Sequence, residues 1–360
     1  MKYLKQDLKK FRAGLMLWNR LKNDRKMPWK GEKDPYKIWL SEIILQQTRV
    51  DQGLVYYQKF IKAFPEINSL AATSEKKVYK LWEGLGYYTR CKNLIETARF
   101  ISTQRKGRFP ETFEDLLALK GVGLYTASAI ASFAYKLPYA VVDGNVFRVL
   151  SRYFGIKTPI DSTQGKKLYS ALAGDLLDKK NPGVYNQAIM DFGAVVCKPH
   201  LPNCKECGLA KNCFAFKNDL TKKLPVKENK KKLKRRWLTY FILQIADKIY
   251  LNKRVTNDIW KNLYEFALIE SEKKQPIKAV IKEAEKNFLL PEKVFKVDSV
   301  SKPVIQLLTH QKIEIQFIKI TLNRYITIKG LKAISIKALG RYPFPKTLRE
   351  YLKNAALPSG

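Results

Sequence analysis

The stretch "LKGVGLYTASAIASFAY", residues 119–135, decides the fold. Gly121 and Gly123 flank Val122 and lead into a run of small and apolar residues that reads as a helix. Immediately upstream, "PETFEDLLALK" (110–120) reads as a second helix, with Pro110 near its start and Thr112 placed to cap it. Helix, two-glycine turn, helix, over about residues 112–135, is a helix–hairpin–helix pattern. Glycines let a turn bring its backbone N–H groups close to an anion. The helix that follows adds its partly positive N-terminus. Together they can hold a DNA phosphate without reading bases, which makes Lys120, Gly121, Val122 and Gly123 candidate phosphate contacts. An ordinary connection between two core helices fits the same residues.

Working outward, the bulk properties agree with a polyanionic partner. Lys and Arg number 68 against 32 Asp and Glu, a net charge of +36. Nucleic acid is the first candidate and a membrane surface the second, while a lysine-rich background would give the same excess. With 360 residues, 46% of them hydrophobic, the chain can bury two cores without disulfide staples. No apolar run approaches the ~20 residues that span a bilayer. "MKYLKQDLKKFRAGLMLW" (1–18) mixes lysines into apolar positions and reads as an amphipathic helix, not a signal peptide.

Residues 1–216 read as helical throughout. "DPYKIWLSEIILQQTRVDQGLVYYQKFIKAF" (34–64) carries apolar residues at helical intervals, with Asp34 and Pro35 as start signals. "VYKLWEGLGYYTRCKNLIETARFI" (78–101) gives two helical pieces broken at Gly84-Leu85-Gly86. A basic linker follows over 217–236, in which "TKKLPVKENKKKLKRR" (221–236) has Glu228 as its one acidic residue. It fits a solvated connector, a strap along phosphates, or both. From 237 to 360 the pattern turns α+β. "WLTYFILQIADKIYLNKR" (237–254) and "KIEIQFIKITLNRYITIKG" (312–330) alternate like strands, and the helical "PIKAVIKEAEKNF" (276–288) lies between them.

Cys197, Cys204, Cys207 and Cys213 fall in one short loop, 197–213, spaced C-x6-C-x2-C-x5-C; Cys91 stands apart and is expected to be a buried, inert thiol. Such a cluster points to metal ligation in a reducing compartment. Four thiolates suit a [4Fe–4S] cluster. Zinc, held by four cysteines or by three with His200, is the alternative. The single C-x2-C pair favours iron–sulfur, since zinc sites more often use two close pairs.

The hairpin, "VVDGNVFRVLSRYF" (141–154) after it and the cysteine loop, in this order, resemble the endonuclease III family of DNA glycosylases. "PWKGEKDPYKIWLSEIILQQTRV" (28–50) and "LWEGLGYYTR" (81–90) narrow the resemblance to the MutY-type adenine DNA glycosylases, over most of residues 20–215. The resemblance implies a multidomain protein. Its first part is an all-α helix–hairpin–helix domain in two lobes with a [4Fe–4S] loop, binding DNA across a cleft. It implies a bacterial-type enzyme of the cytoplasm and nucleoid, acting as a monomer on double-stranded DNA with A:8-oxoguanine or A:G mispairs. The reaction implied is excision of adenine. The resemblance also gives individual roles. Glu42 in "SEIILQQT" matches the catalytic acid, and Asp143 in "VVDGNV" the carboxylate facing the developing sugar cation. Without the resemblance, Glu42 reads as a surface helix charge and Asp143 as a turn or N-cap residue. A carboxyl in a mostly apolar pocket has its pKa raised, which favours the protonated donor.

Lyase-competent relatives carry a Schiff-base lysine two residues after the second glycine. This chain has Tyr125 there, which cannot form an imine, so base removal without strand cleavage is expected. Tyr125 and Asn145 match positions near the sugar and the attacking water. Arg25, Trp29 and Gln187 match the adenine pocket wall. Gln47 and Tyr87 match residues inserted near the orphaned 8-oxoguanine, with Thr48 and Leu85 bordering them.

The C-terminal part resembles the MutT-like, Nudix-related domain of these enzymes, the reader of 8-oxoguanine. Its hydrolase box is absent, so Nudix catalysis is not expected. "LLTHQKIEIQF" (307–317) matches the reading loop, with Leu308-Thr309-His310 where Phe-Ser-His is common. That points to Thr309 and His310. The alternatives to adenine excision are a related glycosylase for another mispaired or oxidised base, and a non-catalytic lesion-binding protein. The presence of Glu42 and Asp143 argues against the last.

Overall fold

The computed structural model describes residues 4–228, 233–288, 295–308 and 310–355. The chain forms two compact units. One comprises Met1–Ala72 with Asn93–Lys230, the other Thr73–Lys92 with Lys231–Gly360.

The first unit is helical. Its helices are α1 (Lys5–Lys22), α2 (Pro35–Leu45), α3 (Val50–Ala63), α4 (Ile67–Ala72), most of α6 (Tyr88–Gln104), α7 (Phe113–Ala118), α8 (Leu124–Ala134), α9 (Gly144–Phe154), α10 (Thr163–Leu176), α11 (Pro182–Val195) and α12 (Phe214–Lys217). The starts follow local chemistry. Asp34 accepts the Tyr36 N–H at 2.9 Å ahead of Pro35, and Thr112 accepts the Asp115 N–H at 3.3 Å. Asp143 and Ser162 cap α9 and α10 in the same way. Most side chains of α2 and the middle of α8 (126–132) are buried, while Leu124 at the start of α8 is exposed. Phe11, Leu15 and Trp18 of α1 join Val149 and Leu150 of α9, Leu172 of α10 and Ile189 and Phe192 of α11 in one core.

Residues 34–64 are two helices rather than one. Gln47 takes a left-handed φ of 54° and the Thr48 N–H bonds back to the Leu45 carbonyl, which ends α2 before α3 begins. Of the basic stretch after 217, residues 217–228 are packed on this unit, while Lys234–Arg236 open the first strand of the other. Leu224 is buried, the Val226 carbonyl accepts the Ile160 N–H, and the Asp161 carboxylate accepts the Glu228 N–H.

The second unit is built on a mixed sheet. β1 (Lys234–Ile245) runs parallel to β7 (Gln311–Leu322) and antiparallel to β2 (Lys248–Lys253) and β4 (Ala267–Ser271). β2 also pairs with β3 (Tyr264–Glu265) and β8 (Lys332–Ser335), and β7 with β5 (Phe295–Val300) and β6 (Val304–Leu307). Burial alternates along most of β7, as expected of a strand whose two faces differ. On one face α13 (Ile277–Phe288) places Val280 and Ala284 against Phe241, Ile269, Ile318 and Ile320. Elsewhere in the unit Phe317 stacks on Tyr351 of α14 (Lys346–Asn354), and Phe266 on Phe344. Helix α5 (Glu75–Trp82) and the turn after it complete this unit, although they lie within the helical half of the sequence.

No helix among the described residues is long and apolar enough to cross a membrane.

Candidate active site

A cavity of about 660 Å³ opens in the helical unit, lined by Arg25, Trp29, Glu42, Gln47, Thr48, Tyr125, Asp143, Asn145 and Gln187. Glu42 projects from α2 and is 6% exposed. Burial, reinforced by the Asp143 carboxylate, pushes its pKa up to about 7, against a hydrogen bond from the Tyr125 hydroxyl that pulls it down. Burial and the two neighbouring carboxyls raise the Tyr125 hydroxyl well above the usual phenol range, so Tyr125 is a neutral donor.

Asp143 is the N-cap of α9 as well as a wall of the cavity. Its Oδ1 accepts the Val146 N–H at 2.7 Å and its Oδ2 the Asn145 side-chain amide at 2.7 Å. Burial raises its pKa, and these donors, with the Arg148 charge, oppose the rise. The two carboxyls therefore differ in kind. Glu42 is desolvated with a phenol for a partner, whereas Asp143 sits among N–H donors that favour its anion.

Behind Asp143 a hydrogen-bond chain leads to the cysteine loop. Arg148 Nη2 donates to Asn145 Oδ1 at 2.8 Å and to the Gly193 carbonyl at 2.6 Å, and its Nε donates to the Cys197 carbonyl at 2.7 Å. Gly193 lets α11 approach this closely, because a Cβ there would meet the Cβ of Asn145 at 2.6 Å. Cys197, Cys204, Cys207 and Cys213 all line one small cavity, whose other walls include Val149, Phe192, Val196 and Phe216. Arg152 Nη1 donates to the Cys197 sulfur at 3.5 Å. Burial raises the Cys204 and Cys213 thiols and pushes Cys207 up to about 11, so these sulfurs are poor free thiolates. Four soft donors around one apolar void fit a thiolate-bound cluster, which would stabilise that charge. No group of three or more His, Cys, Asp or Glu among the described residues forms a ready single-ion site, and His200 is exposed and does not line the void.

Sequence reasoning missed Asp191. Its fully buried side chain accepts from Arg25 at 2.8 Å, Gln187 at 2.9 Å, Lys30 at 3.0 Å and Asn23 at 3.0 Å. It fixes two of the three residues expected at the pocket wall. The one local signal was its place four residues after Gln187, on the same face of α11. Trp29, the third, packs edge-on against Tyr57.

At the hairpin the two glycines do different things. Gly121 has a φ of +79°, and a Cβ there would meet Asn93 at 2.8 Å. Gly123 is extended, and nothing lies within 4 Å of where its Cβ would be, so the N-terminus of α8 faces open space. Val122 is a buried plug whose N–H is used by the Leu119 carbonyl. The Lys120 ammonium is ion-paired with Glu96, and its carbonyl accepts the Thr97 hydroxyl at 2.8 Å.

The remaining expected residues belong to the second unit. Leu85 is 5% exposed and Tyr87 44% exposed, the latter in a left-handed conformation with φ 50°. His310 is exposed, with its carbonyl accepting the Lys234 N–H. Thr309 lies outside the described residues.

Two family models match. The HhH-GPD superfamily of base excision DNA repair proteins covers residues 40–172, and the NUDIX domain covers 239–354. The adenine DNA glycosylase of Buchnera aphidicola subsp. Schizaphis graminum is 35% identical over 252 residues, 70% of this chain and 73% of that one. The human adenine DNA glycosylase is 40% identical over 214 residues, 57% of this chain and 39% of that one. Among solved structures, a thermostable thymine-DNA glycosylase aligns at 29% identity and a TM-score of 0.55, covering 59% of this chain and 98% of its own. A non-covalent endonuclease III–DNA complex aligns at 19% identity and a TM-score of 0.52, over 61% of this chain and 99% of its own, a likeness of fold.

Proposed function

The chain belongs to the adenine DNA glycosylases, and from that premise we propose that it hydrolyses the N-glycosidic bond of adenine paired with 8-oxoguanine or guanine, leaving an abasic site. One observation carries the reading. A desolvated acid, Glu42, and a hydrogen-bonded carboxylate, Asp143, face one cavity that also holds a tyrosine where a lyase would hold an amine.

The chemistry follows from those environments. Adenine is a poor leaving group as an anion and leaves readily once protonated. With a pKa of about 7, Glu42 is protonated in a large fraction of molecules at neutral pH and can give that proton to adenine N7. As the bond to the sugar breaks, positive charge grows on the ring, and the Asp143 carboxylate stabilises it. Asn145, held by Arg148, orients Asp143. Tyr125 stays neutral, holds the Glu42 carboxyl and forms no imine. Arg25, Trp29 and Gln187 wall the base pocket, with Asp191 fixing Arg25 and Gln187. Gln47, Thr48, Leu85 and Tyr87 serve the gap left by the flipped adenine, and the loop that carries His310 serves the opposite base. Lys120, Gly121, Val122 and Gly123 belong to the phosphate-binding hairpin, with the open first turn of α8 as its anion site.

Cys197, Cys204, Cys207 and Cys213 would hold a [4Fe–4S] cluster. Bound there, it supplies four metal–sulfur bonds that order the loop. The Cys197 carbonyl and Arg148 link that loop to Asn145. The loaded protein is expected to be yellow-brown, absorbing near ~400 nm with about four irons per chain. One zinc and no iron would replace this assignment.

The test is single-turnover excision by the full chain on duplexes with A, T or thymine glycol opposite G or 8-oxoguanine. Adenine alone should be released, faster opposite 8-oxoguanine, and the strand should break only on later treatment with alkali. Release of thymine or thymine glycol at comparable rates would overturn the substrate assignment. A borohydride-trapped adduct that survives Lys120→Ala would overturn the imine-free chemistry.

A further inference from the structure

The turn Gly84–Tyr87 is rigid by construction. Gly84, Gly86 and Tyr87 all have positive φ, the Trp82 indole donates to the Gly86 carbonyl at 2.9 Å, and the Arg90 guanidinium lies over the rings of Trp82 and Tyr87. A left-handed tyrosine is backbone strain, and such strain persists only where surrounding contacts over-determine it. The residue that enters this turn is Glu83, whose side chain is 3% exposed. Its Oε1 accepts the Phe344 N–H at 2.8 Å, and its Oε2 faces Lys80 at 2.9 Å and Arg349 at 3.6 Å. Phe344 lies between Pro343 and Pro345, so that N–H is presented by stiff backbone. Lys80 also donates to the Tyr342 carbonyl, Lys76 stands over the Tyr342 ring at 3.4 Å, and Asn262 donates to the Tyr79 hydroxyl. The segment that carries Leu85 and Tyr87 is thus seated on the sheet-bearing part of its own unit, and Glu83 is the buried charge at the seat.

We propose that Glu83 is a positioning residue that makes the Leu85–Tyr87 wedge and the C-terminal sheet domain one body, so that recognition of the opposite base sets the position of the wedge. The inference rests on the roles given above to Tyr87 and to the C-terminal domain. It adds the physical link between them. Removing one partner of a buried, cation-paired carboxylate loosens everything it holds. Glu83→Gln keeps the shape and an acceptor for Phe344 while deleting the charge that Lys80 and Arg349 share.

The experiment compares the full-length protein with Glu83→Gln, Arg349→Met, Tyr87→Ala and the Glu83→Gln/Tyr87→Ala pair. Single-turnover rates are measured on A:8-oxoguanine and A:G duplexes, with amide hydrogen exchange followed in the free proteins. Glu83→Gln and Arg349→Met should speed exchange across 84–90 and 341–346 and leave 120–150 unchanged. Each should reduce the rate preference for 8-oxoguanine at least about fivefold, the low end of an ordinary coupling. The pair should lose no more preference than Tyr87→Ala alone, because the two act through one wedge. Equal loss on both duplexes, additive loss in the pair, or unchanged exchange at 84–90 would overturn the proposal. If the unmodified protein shows no preference for 8-oxoguanine, the proposed function falls, and the exchange data alone decide whether Glu83 seats the wedge.

Discussion

Two carboxyl environments, Glu42 buried in the helical unit and Asp258 near the surface of the sheet unit, show how the same group is turned to opposite ends. Glu42 in the helical unit is stripped of water, meets a phenol and another carboxyl, and is pushed up to about 7. Asp258 in the sheet unit accepts from Arg236 at 2.6 Å and Arg254 at 2.8 Å, and these guanidiniums hold it down at about 2. Arg236 also donates to Glu270 and Gln311, and Arg254 to Glu265, which the Tyr240 hydroxyl joins. That second site is saturated, each carboxylate answered by a cation or donor. The first has the Tyr125 hydroxyl as a donor but, among the described residues, no cation to answer it. Unbalanced burial marks a group that exchanges a proton, and balanced burial marks one that holds strands together.

The largest expected effect breaks the first site. Glu42→Gln should fold normally and bind the mispaired duplex, yet excise adenine at least ~10²–10⁴-fold more slowly, the usual worth of a positioned acid. Near-normal single-turnover excision would remove Glu42 from its role. Asp143→Asn, which keeps the N-cap, should be severely impaired in the same assay.

The same Glu42→Gln variant should gain stability. Glu42 has its folded pKa raised from 4.5 to about 7, so the native state binds more protons than the unfolded state between these values. Stability then falls as pH rises through that window, by up to about 3 kcal/mol. Glu42→Gln should flatten the slope, and urea titrations at pH 4.5 and 7.5 would show it. Asp258 carries the opposite sign. Lowered from 3.8 to about 2, it contributes stability above pH 3.8 that is lost as pH falls through 2. Arg236→Met should cost about 2–3 kcal/mol in the same titration. That is below the ~3–5 kcal/mol of a fully enclosed pair, because Asp258 and Glu270 are about a third exposed. A neutral effect would mean the network adds specificity without stability.

The smallest effect sharpens the contrast at one hydrogen bond. Tyr125→Phe removes the hydroxyl that lowers the Glu42 pKa, so the alkaline limb of the excision profile should move to higher pH. A net hydrogen bond of ~1 kcal/mol corresponds to roughly 0.5–1 pH unit. A shift to lower pH would reverse the assigned direction of that bond.

The residues that line the helical unit's cavity were legible in the sequence because its pieces are local. "SEIILQQT", the two-glycine hairpin and "VVDGNV" each pack their chemistry into a few neighbours, and α2 and α8 announce their burial by runs of apolar and small residues. β1, β2 and β7 were equally legible from alternation, but the alternating 323–330 carries no strand, and the shorter strands β3–β6 and β8 gave no such signal. The parallel pairing of β1 with β7 was not legible, because it joins segments separated by most of the second unit. Asp191 escaped for the same reason: its donors come from 23–30 as well as 187, and no periodicity links them. Glu83 reads in sequence as one charge in a helix–turn stretch. Only the fold brings Phe344 and Arg349 to it. The reading-loop expectation rests on His310 alone within the described residues, since Thr309 falls outside them.

Asp143 closes the first turn of α9 with the same carboxylate that faces the cavity. Helix nucleation and charge stabilisation are thereby written into a single side chain, and variation at this position is doubly constrained. Exchange for alanine removes a cap and an anion together, while exchange for serine or threonine keeps a cap and forfeits the charge. Asparagine alone separates the duties while preserving shape. On the role proposed for Asp143, Asp143→Asn gives a well-folded protein that binds the lesion without turnover, whereas Asp143→Ala loses the cap as well.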